Sequence, residues 1–158
     1  MGLFDFFKKK KTVVEPQKEI KQGFHREREF FPATPLSTPR NEPESWMILE
    51  GEYVNNSKVG CWIIKDKSGK EQGYIHYDDY GRKHGLEKLP TGGYTLYYHG
   101  QMVKSNLELT NEWKREIRSF KVMQKKGDEK SSTKLKKLLA QGQEKWLNDF
   151  SKNFIEER

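Results

Sequence analysis

Two stretches decide the fold: Gly73-Tyr74-Ile75-His76-Tyr77-Asp78-Asp79-Tyr80-Gly81 and Gly93-Tyr94-Thr95-Leu96-Tyr97-Tyr98-His99-Gly100. In each, aromatic and aliphatic side chains alternate with a period of two and then meet a turn. That pattern marks a strand with two different faces. It puts Tyr74 with His76 on the face opposite Ile75, and sets Tyr94 and Leu96 against Tyr97. Further strands are expected near Trp46–Val54, Cys61–Asp66 and Met102–Leu109, besides Gly73–Asp78 and Gly93–His99. Asn55-Asn56-Ser57, Lys67-Ser68-Gly69, Asp78-Asp79-Tyr80-Gly81 and Thr91-Gly92-Gly93 supply the turns, because Asn, Asp and Gly tolerate the positive φ of tight hairpins.

Outward from this core the composition changes twice. Residues 46–109 hold all seven tyrosines, nine of the thirteen glycines and no phenylalanine. Residues 1–45 hold five of the six prolines, and the run from Pro32 to Pro43 reads as an extended linker. Residues 110–158 have no proline and read as helix. Trp113, Ile117 and Phe120 form one apolar stripe at helical spacing, and Leu135, Leu138, Leu139, Trp146, Phe150 and Phe154 form a second. Gly127-Asp128 separates the two helices, and Ser131 to Thr133 offers N-caps for the second. Both stripes are expected to pack against the sheet or each other. The sequence therefore divides into an N-terminal amphipathic segment with its Pro-rich linker (1–45), a β-repeat domain (46–109) and a basic helical tail (110–158). The fold class is α+β: an antiparallel meander of about two hairpin repeats, a two-helix tail and a flexible N-terminal arm.

Bulk numbers bound the function. Of the 158 residues, 33% are hydrophobic and 34% charged, whereas a packed globule carries roughly 45–50% apolar residues. Part of the chain is thus expected to reach into solvent. No run of about 18 apolar residues is present, so no transmembrane helix is expected. The start, Met1-Gly2-Leu3-Phe4-Asp5-Phe6-Phe7, has neither a basic lead nor a small-residue cleavage site, so no secretory signal is read. The single cysteine, Cys61, can form no internal disulfide, which fits a reducing compartment. Net charge is +7, and it lies in the tail: residues 110–158 carry 13 Lys/Arg against 8 Asp/Glu, while 46–109 carry 8 against 8.

The middle segment repeats. Gly51-Glu52-Tyr53-Val54-Asn55-Asn56-Ser57-Lys58-Val59-Gly60-Cys61-Trp62 and Tyr77-Asp78-Asp79-Tyr80-Gly81-Arg82-Lys83-His84-Gly85-Leu86 each run from a polar turn through Lys-x-Gly into a strand. Gly60 and Gly85 lie 25 residues apart, a spacing at which small units stack because no single hairpin buries its own face. Gly81-Arg82-Lys83-His84-Gly85-Leu86-Glu87-Lys88 and Tyr97-Tyr98-His99-Gly100-Gln101-Met102-Val103-Lys104-Ser105 resemble the MORN-repeat variant of bacterial antitoxin-like and immunity-like proteins. The resemblance covers roughly residues 50–108. It departs from the pattern at Leu89-Pro90-Thr91-Gly92, where the second unit is longer: Gly85 to Gly100 spans 15 residues against 9 from Gly60 to Gly69. What it implies is a non-catalytic, cytoplasmic β-meander that contacts another protein, a toxin in the family's own setting.

No catalytic residues, cofactor or metal are assigned. Cys61 beside Trp62-Ile63-Ile64 reads as a small buried hydrophobe rather than a nucleophile. His76 with Asp78, Asp79 and His84 can be drawn as a metal site, but the spacing matches no EF-hand loop or helical His pair. The partner surface is expected on the tyrosine-rich strands, at Tyr74, Tyr77, Tyr94, Tyr97 and Tyr98, since aromatic rings dominate interface hot spots. Each strand should give rings to both core and surface. An alternative function, a peripheral membrane adaptor, rests on the N-terminus: Phe4, Phe6 and Phe7 form an apolar wedge, and Lys8, Lys9, Lys10 and Lys11 follow to meet anionic lipid at the inner face of a membrane. The tail lysines, Lys121, Lys125, Lys126, Lys130, Lys134, Lys136 and Lys137, raise nucleic acid as a third partner class. Without interleaved aromatics they read instead as a solvated helix face.

Overall fold

The computed structural model describes residues 20–31 and 45–158. Seven strands form one antiparallel sheet in strict sequence order: β1 (Gly23–Phe31), β2 (Ser45–Val54), β3 (Ser57–Lys65), β4 (Glu71–Tyr77), β5 (Gly85–Lys88), β6 (Tyr94–Tyr98) and β7 (Gln101–Lys104). Two helices follow, α1 (Asn106–Lys125) and α2 (Glu129–Glu156). The expected α+β meander with a two-helix tail is the fold.

Several boundaries differ from the sequence reading. β1 falls inside the segment read as arm and linker, and it pairs with β2 from Gly23↔Tyr53 to Phe31↔Ser45. Its His-Arg-Glu-Arg-Glu run hides the strand signal, yet charge is what an edge strand tolerates and uses against further pairing. β5 is only four residues long, too short for a period of two to register. The final strand stops at Lys104, not Leu109, because Ser105 caps α1. Ser105 Oγ accepts from the Glu108 amide while the Glu108 carboxylate accepts from the Ser105 amide, a complete capping box. In α2 the cap is Asp128, three residues before the serines expected to serve. That helix is interrupted at Gly142, whose φ of 79° a residue with a Cβ rarely adopts.

Two cores form on opposite faces of the sheet. On one face Leu49, Tyr53, Trp62, Ile64 and Ile75 cluster across β2, β3 and β4. On the other, Leu86 and Leu96 of β5 and β6 meet Leu109 of α1 and Leu147 of α2, with Tyr74, Tyr94, Trp146, Phe150 and Phe154 around them. Each fully buried leucine there stabilises the docked helices by about 1.5–3 kcal/mol. The helical stripes pack on each other as well as on the sheet: Trp113 meets Trp146, and Trp146, Phe150 and Phe154 flank the sheet core, while Leu139 is exposed.

Trp62 is 0% exposed although its face carries no helix among the described residues. The cover comes from the sheet itself. Its ring lies flat over Gly51, where a Cβ would sit 2.4 Å from Trp62 Cδ2. The Tyr53 and Tyr77 rings meet it edge-on, with centroids 5.2 and 6.5 Å away. Lys58 Nζ stands 4.5 Å from the ring centroid on top. A bulge between Glu50 and Glu52 in the β2–β3 ladder gives the local bend that lets these side chains converge.

Candidate functional site

The five tyrosines proposed from the sequence separate onto the two faces, as the period of two requires. Tyr74 and Tyr94 face the helices and pack into the core with Leu86, Leu96 and Leu147. Burial pushes the Tyr74 hydroxyl up to about 12. Tyr77 and Tyr97 point to the opposite face. Tyr77 leans on the Trp62 cluster, where burial again raises its hydroxyl to about 12. Tyr97 is half-buried beside the Lys83–Glu87 ion pair, with Lys83 Nζ 4.9 Å from its ring centroid. Tyr98 alternates with Tyr97 and so lies on the side of Tyr94 and the helices. It stands at one end of the sheet among His84, His99 and Arg158.

The helix-free face is a mosaic of rings and matched charges. Glu27 of β1 accepts from Lys21 Nζ at 2.6 Å and from the Tyr53 hydroxyl at 2.8 Å, and Lys58 Nζ lies 3.2 Å away. Burial alone would raise the Glu27 carboxyl, but these three hydrogen bonds outweigh it and hold it at about 2. At the far side of the same face Glu87, only 3% exposed, is neutralised by Lys83 at 2.5 Å. Met102 pairs with Tyr97 in the β6–β7 ladder, so it shares this face, and it is 61% exposed. The face therefore presents aromatic and thioether surface with its charges already paired, and desolvating it leaves few ions stranded.

No family model matches this chain, and no curated protein or solved structure matches it either.

A second constellation sits at one end of the sheet. In the β4–β5 turn Asp78 Oδ1 accepts from the Tyr80 and Arg82 amides at 3.0 and 2.9 Å, which pins its side chain. Its Oδ2 accepts from Arg82 Nε at 2.8 Å and lies 2.9 Å from His99 Nδ1. Burial opposes the charge, but hydrogen bonds from His99, Arg82 and the turn amides hold the Asp78 carboxyl well below the ordinary carboxylate range. His99 belongs to the β6–β7 turn, with φ of 46°, and its amide donates to His84 Nδ1 at 3.2 Å. The Gly100 amide donates to Lys83 O at 2.7 Å and fastens the two turns together. Burial, followed by the nearby His99, lowers the His84 pKa below its ordinary value. Asp78, His84 and His99 are the described residues able to hold a metal ion: one donor atom from each lies within 4.8 Å of the others.

Of the residues weighed for chemistry in the sequence, this brings Asp78 and His84 together. It leaves out His76, whose Nδ1 is 2.8 Å from Leu86 O on the helix side, and Asp79, which is exposed. His99 was missed because 21 residues separate it from Asp78 and only the meander closes that gap. Cys61 corrects the sequence reading: it is exposed, not buried. It alternates with Trp62, and the parity that buries the tryptophan sends the thiol to the opposite face, beyond the reach of the helices. Phe4, Phe6, Phe7 and Lys8 to Lys11 lie outside the described residues, as does the linker from Pro32 to Pro43. The seven tail lysines are all exposed, six on the helices and Lys126 in the turn between them. No helix among the described residues is long and apolar enough to cross a membrane.

Proposed function

We propose that this chain is a non-catalytic protein-binding module, acting as bacterial antitoxin and immunity proteins do by seating a partner protein on its sheet. The observation that supports it most is the helix-free face, where Tyr77, Tyr97 and the exposed Met102 stand among charges that are already paired. Tyrosine brings contact area at low entropic cost, methionine adapts its shape to a partner, and both are enriched where partners bind. The resemblance of residues 81–88 and 97–105 to the MORN-repeat variant points the same way. Tyr74 and Tyr94 drop out of the proposed surface because the helices lie on them.

The test is capture of the partner from native lysate on immobilised wild-type chain, followed by titration of the identified protein. Met102→Glu places a charge on the proposed surface without touching either core, and Tyr97→Ala removes a ring. Both are expected to weaken binding by about 2 kcal/mol, the mark of a hot spot. Undiminished binding by both variants, with loss on changing exposed positions of α1 or α2, overturns the reading.

A second reading, attachment to an anionic membrane, keeps some support from β1. Phe24 is 67% exposed there, and the exposed Arg26 and Arg28 share its face of the sheet. Co-sedimentation with anionic vesicles, before and after deletion of residues 1–11, decides it. Loss of vesicle binding with retained partner binding shows two independent surfaces, and no vesicle binding by the full chain removes the reading.

A further inference from the structure

We propose that Asp78, His84 and His99 form a binding site for a divalent transition-metal ion of the zinc class, for which the Arg82 guanidinium is the resident competitor. The site rests on its construction and not on the partner-binding reading. Two separate hairpin turns supply it, and each is held in place by bonds that involve no ligand. The Asp78 side chain is fixed by the Tyr80 and Arg82 amides through Oδ1, which leaves Oδ2 directed at the other turn. His99 is presented by a two-residue turn in which both His99 (φ 46°) and Gly100 (φ 88°) are left-handed, the geometry tight hairpins require. The His84 and His99 rings lie 4.4 Å apart, centroid to centroid. The three donor atoms span no more than 4.8 Å, close to what three ligands of one small ion span once the exposed His99 ring and the half-buried His84 ring adjust.

The donor set selects the ion. Two imidazoles and one carboxylate suit zinc, cobalt or nickel, with a coordination position left for water. Calcium and magnesium take oxygen ligands in larger number, which these residues do not provide. The present hydrogen bonds show what stands in for a cation. Arg82 Nε lies 2.8 Å from Asp78 Oδ2, and Arg82 Nη2 lies 3.1 Å from His99 Nδ1. The guanidinium thus touches the same two atoms that a metal would. One proton on His99 Nδ1 cannot serve both neighbours: protonated, that nitrogen donates to Asp78; unprotonated, it accepts from Arg82 or binds the metal. The Arg82 side chain is 46% exposed, so it is free to swing into solvent. His84 joins by giving up the longest bond of the group, the 3.2 Å one from the His99 amide.

Calorimetric titration of the full chain with zinc chloride, repeated with Co²⁺ to read the visible d–d bands, tests this. One equivalent is expected to bind, with a cobalt spectrum free of thiolate charge transfer, which excludes Cys61. His99→Asn keeps a residue that tolerates positive φ while removing the imidazole, and together with His84→Gln it is expected to weaken binding at least about tenfold. Arg82→Ala separates a metal site from a merely hydrogen-bonded turn: it is expected to tighten binding about threefold, the worth of one exposed ion pair. Unchanged affinity in the double histidine variant, or weaker binding in Arg82→Ala with the fold intact by circular dichroism, overturns the site.

Discussion

Replacing Gly51 by alanine tests the account of the Trp62 core with one methyl group. That Cβ would lie 2.4 Å from Trp62 Cδ2 and 2.5 Å from both Cγ and Cε2. Carbon atoms rest at about 3.5–4.0 Å, so the ring must retreat by roughly 1 Å or more. It has nowhere to go cheaply. The indole is 0% exposed, meets Tyr53 at 5.2 Å, and donates from Nε1 to Glu52 O at 3.2 Å. Overpacking of this kind costs about 1–3 kcal/mol, and a displaced indole also loses its hydrogen bond, worth about 1 kcal/mol. Reduced unfolded-state entropy returns about 0.4–1 kcal/mol. The net expectation is a loss of about 2–3 kcal/mol in urea unfolding, or a Tm lower by about 5–10 °C for a chain of this size. The same change in a Trp62→Leu background should cost less than about 0.5 kcal/mol, since the clash is gone. Equal losses in both backgrounds would refute the reasoning, as the cost would then belong to the strand and not to the ring.

Two further outcomes follow from the capping box and the charged face. Ser105→Ala removes the acceptor for the Glu108 amide and should lower stability by about 1 kcal/mol, with a matching loss of ellipticity at the start of α1. The Glu27 carboxyl is held at about 2 in the folded chain against an ordinary 4.5, so its contribution is whole above the higher value and is lost as pH falls through the lower one. Urea midpoints of the wild type should therefore drop between about pH 5 and pH 2.5, and Glu27→Gln should flatten that limb while lowering the plateau by about 1 kcal/mol or less.

How much of this was legible beforehand depends on the range of the interaction. Alternation in Tyr74-Ile75-His76-Tyr77 and Tyr94-Thr95-Leu96-Tyr97 is a local property, and it puts Tyr74 opposite Tyr77 and Tyr94 opposite Tyr97, as the structure has them. The break at Gly127-Asp128 is local too, and so is the apolar stripe that carries the buried Leu135 and Leu138, although it also took in the exposed Leu139 and passed over the buried Leu147. β1 was illegible because an edge strand has only one neighbour, and the strand signal of His25-Arg26-Glu27-Arg28-Glu29 comes from pairing with β2 rather than from its own side chains. The end of β7 is set by Ser105 and Glu108, which stand at capping-box spacing in the sequence but directly follow a β-rich run that masks the helix start.

Residue order alone thus determined a meander, its turns, the parity of its tyrosines and a helical tail, because each depends on neighbours within a few positions. Tertiary structure decided the rest. It decided which face the helices would cover, and with that which tyrosines are core and which are surface. It decided that Cys61 is exposed while Trp62 beside it is sealed. It also brought His99 to within 2.9 Å of Asp78. Each of these turns on how far apart in sequence two contacting groups lie, and no periodicity within one strand encodes which distant segment will pack against it.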